Sequence, residues 1–62
     1  MILIEARQDT TGWYWLCVAL GDCPDRFHSS SEALTGGYLS AIVDHGWQER
    51  DIITQLGHHG GL

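Results

Sequence analysis

The stretch Gly12-Trp13-Tyr14-Trp15-Leu16-Cys17-Val18-Ala19-Leu20 constrains the fold of this chain more than any other. It is rich in the aromatic and β-branched residues that suit a pleated strand. Successive side chains of a strand point to opposite faces, and here both alternations are apolar. Such a strand needs cover on both faces, and 62 residues offer little with which to supply it. What lies over the second face is therefore the question on which a functional reading turns.

The segment before it, Ile2 to Gln8, alternates in the manner of a half-buried strand. Asp9-Thr10-Thr11-Gly12 has the composition of a tight turn. With Thr10 and Thr11 at the tip, Gln8 pairs with Trp13, Ala6 with Trp15 and Ile4 with Cys17. One face then carries Ile2, Ile4, Ala6, Trp13, Trp15, Cys17 and Ala19. The other carries Leu3, Glu5, Arg7, Tyr14, Leu16, Val18 and Leu20. A second turn, Gly-Asp-Cys-Pro-Asp at 21–25, leads to a short third strand over Arg26 to Ser29. On a return from Leu20 to Arg26, Val18 pairs with His28.

Ser29 and Glu32 stand at the spacing of a capping box and predict a helix start. Leu34, Tyr38, Ala41, Ile42 and His45 follow at helical intervals, and Leu39 and Val43 widen the stripe. Gly36 and Gly37 each cost a helix about 1 kcal/mol relative to alanine, which suggests a close approach to the sheet. Gly46 reads as the glycine just past the helix end. Residues 48–56 fit a short helix, with Gln48 as N-cap, Trp47 stapled onto Ile52 and Gly57 as stop; they also fit a fourth strand over Asp51 to Leu56. The helix is the preferred reading. The expected fold is α+β: a three-stranded antiparallel sheet packed on one main helix, followed by a short C-terminal helix or fourth strand. Residues 1–57 form a single domain and 58–62, His-His-Gly-Gly-Leu, a flexible tail.

Composition removes several classes of function. Net charge is −5, lysine is absent, and Arg7, Arg26 and Arg50 are scattered. Direct nucleic-acid binding needs clustered cations to neutralise phosphates and is not expected. Trp13, Trp15 and Trp47 could stack bases, but in acidic surroundings a core or protein-interface role is the better reading. Met1-Ile-Leu-Ile is followed at once by Glu5 and Arg7, so no signal peptide or membrane span is expected. A cytoplasmic protein with reduced Cys17 and Cys23 follows.

Chemistry-bearing residues are present without the spacing that chemistry uses. Cys17 and Cys23 form Cys-x5-Cys, not the short knuckle of structural zinc sites. Cys17 and His28 fall on opposite faces in the expected register. His58 and His59 lie in the tail. His28 with Ser29, Ser30, Ser31 and Asp25 contains the letters of a hydrolytic triad, but such a triad is a constellation in space, and helix capping explains the serines. Glu49 and Asp51, two apart, do not share a helix face. No cofactor, metal or catalytic residue is expected.

Gly12-Trp13, Gly21 with Cys23, and Glu32-Ala33-Leu34 resemble the N-terminal domain of HicB-like antitoxins, over roughly residues 3–43. That family shows an acidic turn with glycine and an aromatic residue, a second strand, a Gly-Cys turn and a Ser/Thr-capped Glu-Ala-Leu helix start. Leu39, Ala41 and Ile42 are compatible with its helix. This chain has Gly-Asp-Cys-Pro where the family has Pro-Gly-Cys, and a C-terminal DNA-binding module like the family's is not expected within these 62 residues. The resemblance implies a protein-binding role, the capping of a small RNA-cleaving toxin, and not operator binding by this chain.

The expected function is thus a non-enzymatic module that occludes a partner protein, a basic toxin nuclease or a host enzyme, and pairs with its own copy as a homodimer. An inhibitor from a phage or mobile element fits the same size and acidity, as does a small metal-binding or redox protein using Cys17 and Cys23. The candidate partner-binding residues are Trp13, Tyr14, Trp15, Leu16, Val18 and Leu20, with Tyr14, Leu16 and Val18 foremost and acids at the rim.

Overall fold

Thr10 and Thr11 form the tip of the first hairpin, as the alternation requires. In the computed structural model, which describes residues 1–23 and 25–57, this hairpin joins β1 (Ile2–Asp9) to β2 (Gly12–Cys17). Ala6 pairs with Trp15, Gln8 with Trp13 and Asp9 with Gly12. The Asp9 carboxylate organises the tip. Its Oδ1 accepts from the Thr11 N–H at 2.8 Å, the Thr11 hydroxyl at 2.7 Å and the Gly12 N–H at 3.1 Å. Gly12 sits at φ +141°, and a Cβ there would lie 2.9 Å from the Phe27 carbonyl oxygen. Only glycine meets both conditions without strain.

β2 is shorter than its composition suggests. Val18 to Leu20 leave the ladder as a turn closed by the Leu20 N–H on the Cys17 carbonyl at 3.2 Å. β3 is Gly21–Asp22, with Leu16 opposite Asp22 and Cys17 opposite Gly21. The third strand expected over Arg26 to Ser29 does not form, nor does the pairing of Val18 with His28. Gly21 at φ +90° lets the chain reverse several residues sooner. Phe27 instead makes one bridge to Trp13, through a bond from the Trp13 N–H at 3.0 Å and one back to the Trp13 carbonyl at 2.7 Å.

α1 (Ser30–Val43) starts where its cap places it, with the Ser29 hydroxyl accepting from the Glu32 N–H at 3.2 Å. It ends near Gly46, which adopts φ +73° and donates to the Ile42 carbonyl. Its contact face differs from the stripe of large residues. Ala33, Gly37 and Ala41 are the buried positions, one turn apart. Leu34, Tyr38 and Ile42 are half-buried beside them, while Leu39, Val43 and His45 are exposed. The sheet supplies the bulk, in Ile4 and Trp15, so the helix must supply hollows. A Cβ on Gly37 would come within 2.7 Å of Ile4 Cγ2 and 2.9 Å of Trp15 Cγ. The close approach to the sheet expected from the glycine pair is thus met at Gly37, whereas Gly36 faces the Phe27 ring.

The helix preferred for residues 48–56 is replaced by a 3-10 turn over Glu49–Asp51 and a strand, β4 (Ile52–Leu56). Nine residues are too few for a stable isolated helix, and Ile-Ile-Thr is a β-branched run that loses side-chain freedom in one. β4 lies parallel to β1, with Ile2 opposite Ile52, Ile4 opposite Thr54 and Ala6 opposite Leu56. The Gly57 N–H extends the pairing to the Ala6 carbonyl at 2.8 Å. The result is an α+β fold with a four-stranded mixed sheet, ordered β3-β2-β1-β4, under one helix.

Candidate functional site

The helix covers one face of the sheet, and on it Ile2, Ile4, Ala6, Trp15 and Cys17 are buried with Cys23, Ala33 and Ala41. Because residues 52–56 join the sheet as an edge strand, they do not fold beneath it. Among the described residues, no second layer covers the opposite face. It presents Leu3, Glu5 and Arg7 from β1, Tyr14 and Leu16 from β2, and Ile53 and Gln55 from β4, as the register dictates.

This face has two halves. At the hairpin end, Arg26 folds back over it. Its guanidinium lies 4.6 Å from the centre of the Tyr14 ring and 2.9 Å from Asp9 Oδ2. In the middle, Arg7 pairs with Glu5 at 3.0 Å and the Gln55 amide donates to Glu5 Oε1 at 3.1 Å, so the central charges cancel. Alongside this pair lies a shallow, mainly apolar groove of about 380 Å³, whose lining includes Met1, Leu3, Leu16, Val18 and Ala19 together with Glu5 and Arg7. Val18 is fully exposed, and Leu3 and Ile53 are each more than a third exposed.

The six candidate residues separate accordingly. Leu16 and Val18 meet in the groove. Tyr14 shares their face but lies under Arg26. Trp15 is buried beneath the helix, Trp13 is half-buried and bridged to Phe27, and Leu20 packs against the core. Leu3 and Ile53 belong to the bare patch although the candidate set lacks them. Leu3 was legible from the alternation of β1; Ile53 depended on residues 48–56 being a strand.

Asp9 carries the largest electrostatic perturbation on this side. Hydrogen bonds from the Thr11 hydroxyl and the Thr11 N–H, aided by Arg26, hold its pKa down to about 2 against an ordinary 3.8. A carboxylate with a depressed folded-state pKa contributes stability above its unfolded value and loses it as pH falls toward the folded one. Thermal melts should therefore show a stability loss between about pH 4 and pH 2. Asp9→Asn should flatten that part of the profile, and an unchanged profile would assign the acid transition to other carboxylates.

Cys17 and Cys23 are free thiols in the core, and the Cys23 thiol donates to the Asp25 carbonyl at 3.4 Å. Burial makes such thiols poorly accessible to oxidants and metals. Among the described residues, no three His, Cys, Asp or Glu side chains gather as a metal site. His58 and His59, and the tail at 58–62, lie outside the described residues. Tyr38 has its phenol pKa pushed up by partial burial and by the Glu49 carboxylate. No described helix is long and apolar enough to cross a membrane. Comparison with protein-family models, with curated proteins and with solved structures finds no match.

Proposed function

We propose that this chain is a non-enzymatic protein-binding module that acts by covering a partner protein, in the manner of HicB-like antitoxins or of inhibitors from phages and mobile elements. One observation carries the reading: an apolar groove lined by Leu3, half-buried Leu16 and Val18, extended by Ile53 opposite Leu3, on a sheet face where Arg7 and Glu5 already pair with one another. Exposed apolar patches on small proteins mark interaction surfaces. The bare half of the sheet is the contact, a second copy of the chain is the first occupant to test, and the cytoplasm is the expected compartment.

Sedimentation equilibrium at micromolar concentration, followed by capture of candidate toxins or host enzymes on the immobilised chain, tests this. Leu16→Asp should abolish self-association or capture. Val18→Asp should weaken it by about tenfold or more, and because Val18 is fully exposed this change leaves the fold intact. Unaltered association in both variants, with circular dichroism confirming their fold, would sink the proposal.

A further inference from the structure

The helix side of the molecule carries a second surface with a different electrical character. Between α1 and the segment that follows β3 runs a groove of about 510 Å³. Its floor is the buried Trp15 and Cys23, with the Phe27 ring laid against the Gly36 backbone. Its lip is Leu39 and Val43, one turn apart on α1 and 52% and 75% exposed. Helix residues four apart form a continuous ridge, so these two side chains make an apolar ledge that nothing in the described chain covers.

Asp25 stands in one wall and Asp44 at the end of the other. Among the described residues neither has an ion pair; the two ion pairs present join Arg7 to Glu5 and Arg26 to Asp9. Asp44 caps the C-terminus of α1, where the backbone carbonyls already concentrate negative charge. A cation is the residue type that stabilises such an end, yet the last turn of α1 has none. The chain as a whole has no lysine with which to supply one.

We propose that this groove binds a cationic amphipathic segment of another protein. Its apolar side chains would lie on the Leu39–Val43 ledge, and its lysine or arginine side chains would neutralise Asp25, Asp44 and the C-terminal end of α1. A second copy of this chain does not meet the requirement, because it brings the same acids and the same net charge of −5. The inference is independent of the sheet-face proposal, since it concerns the opposite side of the molecule.

The test uses the whole chain and two fluorescent synthetic helical peptides with the same leucine pattern, one with lysine and one with glutamate at the polar positions. The lysine peptide should bind, more weakly as salt rises, and move the amide resonances of Asp25, Phe27, Gly36, Leu39, Val43 and Asp44. Val43→Asp and the double variant Asp25→Asn with Asp44→Asn should each weaken binding about tenfold or more. Glu32→Gln with Glu49→Gln, an equal change of net charge elsewhere, should leave it unchanged. Equal binding of the glutamate peptide, equal weakening by the Glu32/Glu49 variant, resonance shifts on the open sheet face, or no binding at low salt would each overturn the proposal.

Discussion

Ile4→Ala is expected to remove about half of the stability of this domain. Ile4 is the one large side chain with no exposed surface among the described residues, and it sits where β1 meets the middle of α1. Deleting a buried isoleucine to alanine costs about 2–5 kcal/mol, the lost transfer energy plus the cavity left behind. At 0.05–0.15 kcal/mol per residue, a 62-residue chain has about 3–9 kcal/mol in total. Ile4→Val, which keeps the β-branch, should cost about 0.5–1.5 kcal/mol and stay folded. Urea titrations followed by far-ultraviolet circular dichroism measure both. A cost below 1 kcal/mol for alanine would mean that the site closes up on truncation, which the rigid neighbours Trp15 and α1 oppose.

Gly37→Ala separates local propensity from packing. In an exposed helix interior the change should stabilise by about 1 kcal/mol. Here the new methyl would press on Ile4 Cγ2 at 2.7 Å and the Trp15 ring at 2.9 Å. Neither can swing away, because both are buried. Overpacking of this kind costs about 1–3 kcal/mol, so a net loss is expected, and Gly37→Leu should not fold. Gly36→Ala is the control. Its methyl would meet the tip of the Phe27 ring at 2.8 Å, and that ring is only half-buried and borders the open helix-side groove. A smaller effect at Gly36 than at Gly37 would support the packing described; a stabilised Gly37→Ala would contradict it.

The sorting of the first hairpin into two faces was legible because two local signals agreed. Asp9, Thr11 and Gly12 specify the turn, and with the tip at Thr10 and Thr11 the alternation places Ile4, Ala6, Trp15 and Cys17 together. A slip of one residue would have exchanged the faces. The helix start was equally local, since Ser29 bonds to a residue three positions on. The contact face of α1 was harder to read. Large apolar residues draw attention, but a helix lying on Ile4 and Trp15 needs small ones there, and Ala33, Gly37 and Ala41 acquire their meaning only from what they face.

The candidate site divides along the same line. Leu16 and Val18 were readable as sharing one face of the sheet; whether that face or the tryptophan face is the open one was not. Trp15 looks similar in sequence and is buried, because the single helix settled on the face it shares with Ile4. The groove beside Leu39 and Val43 exists because α1 rests on its alanine–glycine side, which leaves those two residues beyond the edge of the contact.

By itself, then, the sequence determined an α+β domain, its first hairpin with both faces, and the helix start, all through interactions between residues close in the chain. The tertiary structure decided that residues 52–56 are a strand and that one sheet face is left bare. The hydrogen-bonding edge of β1 that captures Ile52 to Leu56 lies about fifty positions away in sequence. It becomes available only once the hairpin has formed, and backbone groups paired there are ones that a short isolated helix could not have kept paired.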